Sequence, residues 1–254
     1  MTQDNLNFFS IFKRNLIYKF KKKINIDTDT FEKDIGLEKL FSFYETDKAE
    51  FVGKENIEGH GFSDFYETHF SKIREKKLKI LEIGSYSGAS AAAFANYFQN
   101  STIYCLDVNL SKFIYKSKKI FPFGIDVTNI DMIEKFLNTI EFKKSISFFD
   151  IIIDDGSHIL SHQLKAINYF LKLVKKGGYY IVEDYKFPEY FQHLKDVQHL
   201  PLSQIIKNVR KNNIVRSDFI ETYTYELLKK ERSNIFQYKG KKDFSDIMFI
   251  EKLT

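Results

Sequence analysis

The chain has 254 residues, 43% of them hydrophobic, enough to bury a full core in one α/β domain with an appendage and too few for two equal domains. Its net charge of +5 raises the question of nucleic acid, but the lysines stand in small scattered clusters with acids between them, which reads as a solvated surface rather than a basic groove. A single cysteine, Cys105, excludes an internal disulfide framework and makes the cytoplasm the expected compartment.

In residues 7–23, Phe9, Phe12, Leu16, Ile17 and Phe20 recur three and four apart, which predicts an amphipathic helix. Its face could dock on its own domain, on a second copy in a homo-oligomer, or on an anionic membrane surface, and core or interface packing is the usual fate. The longest apolar stretch there, Phe8 to Phe12, is too short for a signal sequence or a membrane span. Residues 27–77 mix aromatics with Tyr44-Glu45-Thr46-Asp47-Lys48 and read as a helical layer. Residues 1–70 are therefore assigned as an N-terminal helical extension, and 71–254 as the main domain.

From residue 78, strands and helices alternate: strand 78–83, helix 89–98, strand 102–106, a short helix, strand 120–125, helix 130–137 and strand 148–153. That alternation predicts a parallel sheet covered by helices. The next helix carries Leu160, Leu164, Ile167, Leu171 and Val174 on one stripe and is expected to end at Gly177 as a C′ glycine, delivering the chain to strand 179–182. Residues 185–232 are weakly patterned. Segments 234–238 and 247–250 read as an antiparallel hairpin that finishes the sheet. The expected fold is α/β, a Rossmann-like seven-stranded, mostly parallel sheet.

Ligands in such a sheet bind beyond the carboxyl ends of the strands, so the residues after each strand carry the chemistry. Every strand here ends in acid: Glu82, Asp107, Asp126, Asp154-Asp155 and Glu183-Asp184. In F-D-I-I-I-D-D-G-S-H, residues 149–158, the acidic pair is followed by His158. Two strands that stop in acidic pairs suggest a site for a hard cation beside an imidazole. The first turn, L-E-I-G-S-Y-S-G-A-S, lets the backbone approach a ligand at Gly84 but lacks the central glycine of a dinucleotide fingerprint. Asp107, about 20 residues on, is placed to accept ribose hydroxyls. Together these favour an adenosine ligand without a pyrophosphate.

These motifs resemble the class I S-adenosylmethionine-dependent methyltransferases. More narrowly, Thr46-Asp47-Lys48, His60-Gly61-Phe62 to His69-Phe70, D-I-I-I-D-D-G-S-H and I-V-E-D are similar to the metal-dependent sugar O-methyltransferases of macrolide and glycoside tailoring. The likeness runs from about Thr46 to Asp184. It implies S-adenosylmethionine held by Thr46, Lys48, Glu82, Gly84, Ser85, Ser90, Asp107, Asp126, Val127 and Asp154. It also implies Mg²⁺ or Mn²⁺ on Asp155, Glu183 and Asp184, with His158 as the base. Val127 departs from the glutamine that often follows the adenine-side acid.

The chemistry fits independently of the likeness. With water's pKa of ~15.7 standing for a sugar hydroxyl and ~6.5 for histidine, a lone imidazole falls short by about nine units, roughly 12 kcal/mol. A divalent cation closes much of that gap. His158 and His162 stand four apart as zinc-binding histidines can, but their neighbours are oxygen ligands. What the resemblance implies as acceptor is a sugar hydroxyl, expected in a nucleotide-linked sugar or a surface-glycan precursor of polysaccharide biosynthesis. The alternatives are a catechol-type acceptor and, in another class, a cofactor-binding module on RNA or membrane.

Overall fold

The computed structural model describes residues 8–139, 147–213 and 219–254. Seven strands form one sheet: β1 (Leu78–Ile83), β2 (Ser101–Asp107), β3 (Ile120–Gly124), β4 (Phe149–Asp154), β5 (Val174–Glu183), β6 (Ser233–Lys239) and β7 (Asp246–Lys252). Their spatial order is β6-β7-β5-β4-β1-β2-β3. The five strands β1 to β5 are parallel, and β7 enters antiparallel between β5 and β6, as the alternation and the final hairpin predict. Strand order reverses between β1 and β4, since the chain builds outward from β1 on one side and from β4 on the other. That reversal opens a crevice beyond their carboxyl ends.

Nine helices are described: α1 (Phe8–Phe20), α2 (Leu37–Phe43), α3 (Ser63–Phe70), α4 (Ala89–Tyr97), α5 (Ile130–Thr139), α6 (Leu160–Phe170), α7 (Phe187–Tyr190), α8 (Leu202–Arg210) and α9 (Thr222–Leu227). The period-two alternation of the strands divides the core. Ile151 and Ile153 enter the layer roofed by α2, α3 and α4, while Ile152 enters the layer roofed by α5, α6, α8 and α9. The small side chains Ala91, Ala92 and Ala93, all fully buried, let α4 lie close on the sheet. Residues 27–77 give Leu40, Phe41, Tyr66 and Phe70 to the first layer, so α2 and α3 share one core with the sheet.

Three expectations are corrected. Helix α6 stops at Phe170, a 3₁₀ turn covers Leu171–Leu173, and Val174 already belongs to β5. Between the pairs Phe149↔Val174 and Ile151↔Tyr179 the register shifts, so residues 175–178 form a wide bulge opposite Asp150. Gly177 (φ +74°) serves this bulge rather than a helix cap, and a side chain at Gly178 would lie 2.5 Å from the Asp150 carbonyl oxygen. Periodicity misled because Leu171 and Val174 stay buried on the same side in either conformation.

The second correction concerns α1, whose predicted start at Asn7 lies outside the described residues. The helix docks on its own domain through a face the periodicity did not select. Ile11 is buried, Tyr18 meets Phe113 edge-on at 6.0 Å, Asn15 donates to the Gly124 carbonyl (3.0 Å) and Lys21 to that of Ser111 (2.8 Å). Phe9 and Phe20 are 74% and 79% exposed, and Phe12, Leu16 and Ile17 are exposed with them. Polar side chains that reach backbone carbonyls thus outweighed the apolar stripe.

Third, the weakly patterned region contains α7, α8 and α9. Leu202, Ile205, Ile206 and Val209 of α8 are buried together at helical spacing. Among the described residues, no helix is long and apolar enough to cross a membrane.

Candidate active site

The crevice at the β1–β4 reversal holds a cavity of about 540 Å³. Its floor is the turn after β1. Gly84 has φ +83°, and a Cβ there would stand 1.9 Å from the Asp155 carbonyl oxygen, so only glycine allows the turn after β1 and the Asp155 loop to touch. Ser90 donates to Glu82 Oε1 (2.5 Å) and Ser85 to the Glu82 carbonyl (3.3 Å). The other Glu82 oxygen, Oε2, is buried and accepts nothing, and burial pushes this carboxyl up to about 6.

At the end of β2, Asp107 faces the cavity and accepts backbone N–H groups from Tyr86 (2.7 Å) and Asn109 (2.6 Å). Burial raises its pKa despite those bonds. Beyond β3, Asp126 Oδ1 accepts from the Thr128 amide and hydroxyl, both at 2.8 Å, which caps the approach to α5. Val127 lines the cavity beside it. Asp154 also faces the cavity, accepts from Tyr180 (3.0 Å), and is pushed up to about 6 by burial. Its neighbour Asp155, just past the end of β4, lines the same cavity and accepts from Lys48.

Asp155, His158 and Asp184 bring one ligand atom each within 4.8 Å of one another, a spacing that suits a metal ion. His158 Nε2 stands 3.8 Å from Asp155 Oδ1, and its ring rests 4.8 Å from that of Phe187. His158 and Asp184 both hold left-handed backbone, with φ of +57° and +50°. Asp184 Oδ1 is buried without a hydrogen bond. Two carboxylates together, one with a buried oxygen that accepts no hydrogen bond, fit a hard divalent cation, and the His158 imidazole stands beside them.

Glu183 and Lys48 lie just behind this cluster. The fully buried Lys48 ammonium bridges Asp155 Oδ2 (2.5 Å) and Glu183 Oε2 (2.8 Å), and Tyr66 donates to Glu183 Oε1. Burial alone would lower the Lys48 pKa, but the two carboxylates outweigh it and hold the ammonium charged. Thr46 and Lys48 both reach the cavity wall. Both Glu183 oxygens are therefore engaged, while Asp184 Oδ1 accepts no hydrogen bond.

Sequence reasoning passed over three contributors. His60 sits 3.3 Å from Asp184 Oδ1 and 2.9 Å from Ser245 Oγ, and its role was visible only as part of a family-like motif. Tyr66 carries no local signal, because it reaches Glu183 from a distant helix. Gln163, in α6, lines the cavity with both side-chain polar atoms buried and unbonded. His162 bonds Ser157 (2.7 Å) at the cavity wall and stands outside the cluster of Asp155, His158 and Asp184.

No family model matches the chain. A tetracenomycin-C rhamnosyl 3′-O-methyltransferase of Streptomyces olivaceus is 31% identical over 137 residues, 49% of this chain and 32% of that protein. Mycinamicin VI 2″-O-methyltransferase of Micromonospora griseorubida is 31% identical over 159 residues, 58% of this chain and 35% of that protein. The chain thus matches about a third of the length of these curated relatives. Among solved structures, the MycE methyltransferase of mycinamycin biosynthesis, in complex with Mg, SAH and mycinamycin VI, superposes with a TM-score of 0.63. The superposition shows 24% identity and covers 87% of this chain and 55% of that one. The relatives are sugar O-methyltransferases of macrolide and polyketide tailoring, and the fold is the class I methyltransferase fold.

Proposed function

We propose that this chain, built on the class I methyltransferase fold, moves a methyl group from S-adenosylmethionine to a sugar hydroxyl with the help of Mg²⁺ or Mn²⁺. The observation that carries the reading is the cluster of Asp155, His158 and Asp184 at the edge of the cavity, in which a buried carboxylate oxygen of Asp184 accepts no hydrogen bond. Asp107 and the Gly84 turn would hold the ribose and the cofactor backbone, with Asp126 and Val127 on the adenine side.

Asp155 and Asp184 would hold the cation, with Glu183 in support behind them. The chemistry such an ion supplies when bound is acidification of a hydroxyl brought to it. His158 would then take the proton at Nε2, its ring held in place by Phe187. Lys48 fixes Asp155 Oδ2, leaving Oδ1 turned toward His158. Much of the rate would come from placing the acceptor oxygen in line with the methyl group, an effect worth up to roughly 7–11 kcal/mol.

The relatives' names point to sugars already attached to an aglycone. A small-molecule glycoside is therefore the first acceptor class, and a nucleotide-linked sugar the second. The single buried cysteine suits a reducing cytoplasmic setting. The test is mass spectrometry for addition of one methyl group across a panel of glycosides, nucleotide sugars and catechols, with Mg²⁺ present or chelated. Metal-dependent methylation of a sugar supports the reading, and His158→Ala should then lower kcat by about 10²–10⁴. Turnover that survives both chelation and His158→Ala would sink the mechanism.

A further inference from the structure

Helix α1 is fixed to the domain along one side. Ile11, Asn15 and Tyr18 make that side, and Arg14 reaches the Val108 carbonyl (3.5 Å). At roughly 100° per residue, Phe9, Phe12, Leu16 and Phe20 fall within about 80° of one another on the opposite side, and all four are exposed. Lys19 borders that arc on one edge and Lys13 on the other. Both are exposed, as are Ile17 beyond Lys13 and Lys22 just past the end of the helix. Single apolar residues on a surface need no explanation, but an arc of four does.

Charge narrows what covers it. Residues 8–26 contain six basic side chains and no acid. Of these, Arg14, Lys21 and Lys23 turn to backbone carbonyls, while Lys13, Lys19 and Lys22 stay on the surface. The next acid, Asp27, is held by Ser117 and the Lys118 amide. A two-fold pairing of α1 with a second copy would set the lysine borders against themselves, with no carboxylate in the helix to answer them. An anionic bilayer answers both parts at once. Headgroup phosphates take the ammonium groups, whose long stems reach past the arc, and the acyl boundary takes the phenylalanines. We propose that the outward face of α1 is a docking surface for an anionic lipid bilayer. Arg14 and Asn15 tie the helix to the carbonyls of Val108, on the cavity wall, and Gly124, at the end of β3, so docking brings the cavity close to the lipid surface. Such docking does not depend on what the cavity binds.

Co-sedimentation of the full chain with vesicles of phosphatidylcholine, alone or with about a third phosphatidylserine, tests it. Wild type should bind the anionic vesicles at least about 10-fold more strongly than the neutral ones, and added salt should weaken that binding. Phe9→Ser with Phe20→Ser should lose about 10-fold or more at an unchanged thermal midpoint, and Leu16→Ser takes its place if the double variant fails to fold. Lys13→Gln with Lys19→Gln should lose a similar factor and flatten the salt dependence. Lys176→Gln with Lys230→Gln, exposed lysines of other elements, should bind as wild type does. Absence of binding by wild type, equal binding to both vesicles, unchanged binding in the α1 variants, or an equal loss in the Lys176 and Lys230 variant overturns the inference. So does self-association of wild type in sedimentation velocity that Phe9→Ser with Phe20→Ser abolishes, which would assign the face to a second copy.

Discussion

Neither His158 nor Asp184 is a glycine, yet both hold backbone that glycine adopts more readily, and both belong to the proposed cation cluster. Such conformations cost on the order of 1–3 kcal/mol each and persist only where the surroundings enforce them. Asp184→Gly should therefore raise the thermal midpoint while weakening Mn²⁺ binding, measured by calorimetry and electron paramagnetic resonance. Lys48 behaves in the opposite way. Its removal in Lys48→Met leaves Asp155 and Glu183 buried without their cation, a loss of about 3–5 kcal/mol by denaturant unfolding. Glu82 sets a pH dependence. Its carboxyl rises from 4.5 to about 6 on burial, so the native chain binds the proton more tightly than the unfolded chain does. Below pH 4.5 both states are protonated and nothing is lost. As pH climbs toward 6, stability falls by about 2 kcal/mol and then levels off. In Glu82→Gln, unfolding followed between pH 4 and 7 should lack that component.

At the scale of elements, strands were the easiest to read, because a buried parallel strand is a short apolar run and the polar residue that ends it marks the site. β1 and β4 illustrate this, each ending at the carboxylate or glycine that the cavity uses. Helices were harder. α8 has a regular apolar stripe but lies in a stretch without flanking landmarks, and α6 runs into β5 with no polar break between them. For α1 the largest apolar residues were not the ones that docked. Phe9→Ser with Phe20→Ser should leave the unfolding free energy within about 0.5 kcal/mol, whereas Ile11→Ala should cost about 2–4 kcal/mol. A loss in the double variant greater than that at Ile11 would show that the exposed stripe is covered in solution. Parts of the site were legible for the same reason as the strands. Asp155, His158 and Asp184 follow strand ends in sequence, whereas Tyr66, His60 and Gln163 arrive through tertiary packing that no local pattern records.

Across the whole molecule, one sheet separates two core layers and brings its two halves together at the β1–β4 boundary. The turn that would carry the cofactor and the loop that would carry the cation meet there. Asp155 N–H donates to the Ile83 carbonyl (3.0 Å), and the Asp155 carbonyl presses on Gly84 where a side chain would stand. A shift of either loop would break this hydrogen bond or this contact. Thermodynamic linkage then makes the two ligands partners: whatever factor S-adenosylhomocysteine applies to Mn²⁺ affinity, Mn²⁺ must return. A factor of several, seen in titrations run in both orders, is the expected coupling, and a factor of one would mean the loops move independently. With coupling above one, the cation site would reach full strength only when the methyl donor is already seated, so the acceptor hydroxyl would be acidified only when a methyl group is there to receive it.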